Sequence, residues 1–286
     1  MFRQAFSLQM NPNMKSLNTT TIILVALIFS NLSLAHGSAG SFKSSSITDQ
    51  IYQTEEVEDR DAAAIDVARS LNRIGAEKAC KAVVNQEEEG RYYKSVEFAF
   101  SQNKFPNLTR GTTDLIAVCP KYPTLSQKEK EEVWTTILGA MAFYESTCRQ
   151  LGSRRGGPNG NLGGPFQLHV DHEDSPSYNG YLCRKGDATT KDSNRFIPCV
   201  LSMLDGYMSS HAKRMAKKGV APQDISKNLR LFPERAQAAT YWEVMQSDAK
   251  TKYSLKIPTS EGKVKILKGN GSDFIKLAIK DYKYCN

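Results

Sequence analysis

Hydrophobic positions recur at helical spacing in several long segments of the chain from residue 55 onward. Apolar side chains three and four residues apart form one face of an α-helix, and three segments show this spacing: 55–84, 126–145 and 196–217. Gly75 predicts a break within the first segment. The third ends at Lys217, Lys218 and Gly219, and basic residues followed by glycine are typical of a helix C-terminus. These patterns predict a mainly α-helical protein.

A small β component is expected near the C-terminus. Apolar and polar residues alternate with period two over 253–257 and 263–267, on either side of a polar turn, which predicts a β-hairpin. A short helix over 272–282 follows. Pro233 is suited to open another helix that continues to Met245. Two shorter apolar runs can be either helix or strand: 96–100 and 115–118.

The first 35 residues have the features of a secretory signal peptide. The apolar run 22–29 is too short to span a bilayer comfortably, and Ser33-Leu34-Ala35 fits a small-x-small cleavage site. Met14 is a more typical start than Met1, and retention as an anchor is the alternative. Residues 36–48 are rich in serine and glycine and predict a flexible leader.

Charge and cysteine content fit an exported protein with an anionic partner. Removing residues 1–35 takes away Arg3 and Lys15 and no acid, so the formal net charge falls from +8 to +6. The chain contains no basic motif with interleaved aromatic residues, so we do not expect it to bind nucleic acid. Six cysteines are an even set that allows three disulfides. The local pairing expected is Cys183 with Cys199. We therefore expect a secreted or periplasmic protein. We also expect it to be a monomer.

One acidic residue interrupts the hydrophobic face of the second helical segment. That helix starts with the capping box formed by Ser126 and Glu129. Glu145 continues the apolar stripe that contains Leu138 and Met141. A carboxyl group held against hydrocarbon has a raised pKa, and it can then act as a general acid. The alternative is that Glu145 turns into water or pairs with Arg149.

Two further features follow Glu145 in the chain. Six glycines lie between residues 152 and 164 and predict a loop whose backbone can approach a ligand closely. Cys148 lies one helical turn after Glu145, so a disulfide there would brace the acidic residue.

Several of these motifs together resemble the goose-type lysozyme and soluble lytic transglycosylase superfamily. They are Glu145-Ser146, the glycine-rich segment, Gly164-Pro165-Phe166-Gln167-Leu168, the helix start Asn194-Arg195-Phe196-Ile197, and the aromatic pair Tyr241-Trp242. The match covers about residues 120–250. More narrowly, the chain resembles the deacetylation-specific lysozymes of predatory bacteria. The resemblance implies a lysozyme-like fold for residues 49–286, with a helical N-terminal extension.

The resemblance also implies a function. A secreted muramidase would cleave the β-1,4 glycosidic bonds of peptidoglycan with Glu145 as general acid, without metal or cofactor. The residues expected to contact substrate are Ser146, Gly164, Phe166, Gln167 and Tyr241. Ser146 can either orient the Glu145 carboxyl or cap the helix end.

The second carboxylate is the open question. Asp171, Glu173 and Asp174 could activate water or pair with the ammonium of N-deacetylated glycan, or they could form a solvated acidic loop. A lytic transglycosylase needs no second carboxylate, because the sugar's own 6-hydroxyl closes a 1,6-anhydro ring. However, the chain has Tyr241-Trp242 where that family has a Tyr-Asn pair.

Two other functional classes stay open. His169, Asp171 and His172 could contribute to a zinc hydrolase, but their spacing matches no standard helical zinc pair. A non-catalytic peptidoglycan-binding protein on the same scaffold is the second alternative.

Overall fold

The structure describes most of the chain after residue 104 and shorter ranges before it. The computed structural model describes residues 67–76, 79–80, 91–102, 104–149, 153–157, 160–170, 182–236, 241–258 and 263–286. The chain divides into two units, Met1–Gln50 and Ile51–Asn286, and the described residues belong to the second. The expected signal peptide and leader lie outside the described residues. Within these ranges, no helix is long and apolar enough to cross a membrane.

The described part is mainly helical with two small antiparallel sheets, so the predicted fold class is confirmed. The helices are α1 (Arg91–Ser101), α2 (Pro106–Arg110), α3 (Thr113–Val118), α4 (Gln127–Ser146), α5 (Ser193–Lys217), α6 (Pro222–Asn228) and α7 (Gly271–Lys280). Both ambiguous apolar runs belong to helices, α1 and α3. Residues 67–72 are also helical, and Gly75 has a φ of 74°, in agreement with the predicted break.

Helix α4 passes through the centre of the core. Ser126 Oγ accepts from the Glu129 backbone N–H at 3.3 Å, and the Glu129 carboxylate accepts from the Ser126 N–H at 2.6 Å, so the predicted capping box is confirmed. Every side chain from residue 131 to 142 is buried, because α1 and α7 pack against the helix. Buried Trp134 donates from Nε1 to the Tyr122 hydroxyl at 2.7 Å.

Helix α5 forms a second wall of the core and packs along α1. Asp192 caps its first turn by accepting from the Asn194 N–H at 3.0 Å. Ser95 of α1 donates to the side chain of Asn194 at 2.9 Å. The helix ends at Lys217, and Gly219 follows with a φ of 79°. The end predicted from basic residues and glycine is therefore confirmed.

The glycine-rich segment forms strands where a loop was expected. β1 (Ser153–Gly157), β2 (Gly160–Gly163) and β3 (Leu168–His169) make an antiparallel sheet in that order. Backbone pairing, for example between residues 162 and 169, holds these strands together. Glycine has no side chain to alternate between the faces of a sheet, so the periodicity that normally predicts a strand is missing here.

The C-terminal hairpin is confirmed. β4 (Tyr253–Pro258) and β5 (Val264–Gly269) pair along their whole length. Leu255 faces Leu267 across the ladder, and both side chains pack against the core.

The helix expected from Pro233 to Met245 is wrong for the described part of that segment. Residues 241 and 242 are not helical, and Glu243–Met245 form only a short 3-10 turn. Hydrogen bonds to distant groups replace helical ones, since the Pro233 carbonyl accepts from the Ser247 N–H at 3.0 Å. These tertiary contacts override the local helix preference.

Three disulfides cross-link the described chain: Cys80–Cys148, Cys119–Cys285 and Cys183–Cys199. The local pairing expected from the sequence is confirmed. The other two pairs join segments 68 and 166 residues apart, so they tie the helical N-terminal region and the C-terminus to the core.

Candidate active site

Glu145 lies in the last turn of α4, and the chain reverses direction immediately after it. Thr147 and Cys148 both have a φ of 57°, in the left-handed region that residues other than glycine rarely adopt. The Cys148 N–H donates to the Ala142 carbonyl at 3.0 Å, which satisfies one of the free carbonyls at the helix end. The disulfide to Cys80 braces this reversal, as the position of Cys148 suggested.

The environment of Glu145 favours its neutral form. The residue is half-buried, and its pKa is raised from 4.5 to about 7. Burial is the largest cause, and the negative charge of Glu243 is the second. A hydrogen bond from the Val244 backbone N–H opposes them in part. Within the described residues, the alternative ion pair with Arg149 is not formed. Near neutral pH, Glu145 can therefore hold a proton and release it.

Ser146 joins the end of α4 to the turn formed by residues 164–167. Its Oγ lies 2.8 Å from the Pro165 carbonyl oxygen and 3.1 Å from the Ala142 carbonyl oxygen. These contacts with backbone oxygens place the turn beside the helix end that carries Glu145. Of the two roles predicted for Ser146, the structure supports the role at the helix end.

Two glycines allow the turn to press against another part of the chain. A Cβ atom on Gly163 or Gly164 would lie 2.7 or 2.8 Å from the Ala188 carbonyl oxygen, and Gly164 also has a φ of 70°. Gln167 closes the turn by donating from Nε2 to the Gly164 carbonyl at 2.9 Å. In the described structure these glycines allow a close approach to the Ala188 carbonyl, and the expected approach of this segment to a ligand stays a prediction.

The aromatic pair holds the turn from the other side. The Tyr241 hydroxyl donates to the Gln167 carbonyl at 2.9 Å, and Trp242 Nε1 donates to the Phe166 carbonyl at 2.8 Å. The Phe166 ring is fully buried, with its centroid 6.0 Å from that of Tyr92. The Phe166 ring therefore belongs to the core, and the expected role of this residue in the substrate cleft stays a prediction.

Two residues that the sequence did not point to lie at the same site. Glu243 is exposed, and its charge acts on both Glu145 and Tyr253. Burial, followed by the charges of Glu145 and Glu243, raises the pKa of Tyr253 to about 12. The Tyr253 hydroxyl lies 3.4 Å from the Tyr144 carbonyl oxygen. No spacing rule links residues 145 and 243, and only the position of Glu243 directly after the aromatic pair could have suggested it.

The acidic cluster predicted to supply the second carboxylate, Asp171, Glu173 and Asp174, lies outside the described residues. His172 of the zinc alternative also lies there. Among the residues that the structure does describe, no group of three or more histidine, cysteine, aspartate or glutamate side chains could hold a metal ion.

No protein-family model matches the chain, and no curated protein matches it. Solved structures of Bd0314 DslA are similar to it. The second form of the wild-type protein is 19% identical, with a TM-score of 0.46 over 71% of this chain and 97% of that chain. Two mutants of DslA, each at a glutamate replaced by glutamine, are 18% identical with TM-scores of 0.46 and 0.44.

Proposed function

We propose that this protein is a secreted muramidase that cleaves the β-1,4 glycosidic bonds of peptidoglycan with Glu145 as general acid. The observation that carries the proposal is a half-buried carboxyl group at the end of a core helix, next to a second carboxylate, with a pKa raised to about 7. A neutral carboxyl group within reach of a glycosidic oxygen can protonate it as the bond breaks. Few structural roles require a carboxylate in such an environment.

The backbone around Glu145 is held in place by several contacts, as expected for a proton donor that must keep a fixed position. The disulfide at Cys148, the Ser146 contact with Pro165 and the docked Trp242 all fix the backbone around the helix end. General acids contribute about 10²- to 10⁴-fold to the rate only when they are held within hydrogen-bond distance of the reacting oxygen. Rigid surroundings are therefore an advantage here.

The choice of peptidoglycan rests on the motif resemblance, on three disulfides and on charge. Disulfides persist in oxidising compartments, where the cell wall is encountered. The hairpin exposes Lys256, Lys263, Lys265 and Lys268 to solvent. Such a basic face attracts an anionic polymer. We also propose a preference for N-deacetylated glycan, because Asp171, Glu173 or Asp174 could pair with its ammonium groups.

Product analysis tests the proposal. Purified wild type and Glu145→Gln would be incubated with peptidoglycan in its acetylated and deacetylated forms, and the products identified by mass spectrometry. Glu234→Gln is a matched control, since it makes the same chemical change at an exposed glutamate. We expect Glu145→Gln to lose about 10²- to 10⁴-fold of the activity and Glu234→Gln to retain it.

Each alternative gives a different result. Hydrolysis leaves reducing ends, whereas a lytic transglycosylase leaves anhydro-sugars that are lighter by one water. Binding without cleavage by the wild type would indicate the non-catalytic alternative. Full activity of Glu145→Gln would refute the assignment of the general acid, and equal turnover of both glycan forms would refute the deacetylation preference.

A further inference from the structure

Glu243 has the position and the contacts of a second functional carboxylate. It opens the 3-10 turn Glu243–Met245, which packs against α4. The preceding residue, Trp242, is hydrogen-bonded to the Phe166 carbonyl and so to the turn formed by residues 164–167, beside the helix end that carries Glu145. The next residue, Val244, directs its backbone N–H at the Glu145 carboxyl group. The backbone on both sides of Glu243 is therefore tied to the structure around Glu145.

One oxygen of the Glu243 carboxylate is anchored. Oε1 accepts hydrogen bonds from the backbone N–H groups of Lys250 and Thr251, both at 3.1 Å, and from the Thr251 hydroxyl at 3.2 Å. Among the described residues, Oε2 has no hydrogen-bond partner. The side chain is thus oriented through one oxygen, while the other is available to a water molecule at the exposed side.

The two carboxyl groups differ in the way that acid and base roles require. Glu145 is half-buried, and its raised pKa of about 7 leaves a substantial fraction of it protonated near neutral pH, whereas Glu243 is exposed and its negative charge acts on Glu145. When two carboxyl groups lie in unlike environments, the one with the raised pKa can serve as general acid and the ionised one as general base. Among the described residues, the Tyr253 hydroxyl also interacts electrostatically with both glutamates, and it carries no charge near neutral pH because its pKa is about 12.

We propose that Glu243 is the general base that activates water for attack on the sugar while Glu145 protonates the leaving oxygen. This inference rests on the proposed function. The water oxygen forms a bond to the anomeric carbon as the bond from that carbon to the leaving oxygen breaks. The Glu145 proton passes to the leaving oxygen, and a water proton passes to Glu243. The anomeric configuration is inverted, and proton exchange with solvent restores both carboxyl groups.

A substrate with an activated leaving group separates the two roles. A dinitrophenyl glycoside of a chito-oligosaccharide has a phenolate leaving group that needs no protonation, so Glu145→Gln should retain most of its turnover of this aryl substrate. Glu243→Gln keeps an oxygen that can accept from Lys250 and Thr251 but cannot take up a proton. We expect it to lose about 10²-fold or more on both the aryl substrate and peptidoglycan.

Azide provides a positive test of the base role. Azide needs no deprotonation, so it should restore turnover of the aryl substrate by Glu243→Ala and give a glycosyl azide of inverted configuration. The same addition should leave Glu145→Gln unchanged. Thermal unfolding of both Glu243 variants, beside Glu234→Gln as matched control, shows whether lost activity reflects a lost fold. Glu243→Gln provides the test if the alanine variant does not fold.

The pH profile checks that the two carboxyl groups are close. In the pH–rate profile on peptidoglycan, activity falls at alkaline pH as Glu145 loses its proton. Glu243→Gln removes the negative charge that helps to raise the Glu145 pKa, so in this variant the fall should move below about pH 7. An unchanged alkaline side of the pH profile would overturn the proposal. So would a Glu243→Gln activity within about threefold of the wild type. Anhydro-sugar products from the wild type would overturn it too, because they form without an activated water. The assignment of Glu145 as general acid fails separately, since it is refuted by full peptidoglycan activity of Glu145→Gln or by a wild type that does not cleave.

Discussion

Removal of the Glu145 carboxyl group should stabilise the protein at alkaline pH. A rise in pKa from 4.5 to about 7 corresponds to about 3 kcal/mol of unfavourable free energy for the ionised form in the folded state. Glu145 is only half-buried, so we expect about 2 to 3 kcal/mol after screening by solvent. Glutamine at this position has similar size and cannot ionise, so Glu145→Gln avoids this cost.

The direction with pH follows from proton binding. Below pH 4.5 the folded and unfolded chains both hold the proton, and Glu145 costs the fold nothing. Between 4.5 and about 7 only the folded protein retains it, so the free energy of unfolding falls as the pH rises. Above about 7 the full cost is present. The advantage of Glu145→Gln should therefore be absent in acid and complete in weak alkali.

Urea unfolding followed by tryptophan fluorescence, with the disulfides intact, measures this difference. Wild type and Glu145→Gln would be compared at about pH 4.5 and about pH 8.5. Glu234→Gln, which changes an exposed glutamate, should show no comparable dependence on pH. An equal difference between wild type and Glu145→Gln at both pH values would refute the inference that burial raises the pKa of Glu145.

Three further variants test the structure around the site. Replacing Cys80 and Cys148 together by serine opens a link across 68 residues, and should lower the free energy of unfolding by about 4 kcal/mol in urea titration and reduce activity. Gly164→Ala should lower the melting temperature measured by calorimetry, because its φ is 70° and its Cβ would lie 2.8 Å from a backbone oxygen. Trp242→Phe leaves the Phe166 carbonyl without its donor, and we expect a loss of about 1 to 3 kcal/mol in the same urea assay.

The helical framework could be predicted from the sequence because its signals are local. The capping box at Ser126 and Glu129 involves residues three apart, and the apolar spacing up to Glu145 needs only the geometry of one helix. The hairpin of β4 and β5 likewise shows an alternating pattern around its turn. For the same reason Glu145 could be identified as a carboxyl group on a hydrophobic face.

Long-range contacts could not be predicted in this way. The three strands of the glycine-rich segment contain only two hydrophobic residues, Leu162 and Leu168, too few to give the alternating pattern that predicts a strand. The segment that starts at Pro233 has helical composition, but hydrogen bonds with Ser247 and from Trp242 hold it in another conformation. Phe166 lies within a motif associated with substrate, yet its ring fills the core.

The sequence by itself determined the main helices, the hairpin and the unusual carboxyl group at Glu145, since each depends on residues within a few positions of one another. Only the tertiary structure decided what surrounds that group. The backbone around Glu243 packs against the end of α4 although nearly a hundred residues separate the two glutamates in the chain. The pKa of Glu145 depends on burial and on this neighbouring charge, and both arise only when distant parts of the chain come together.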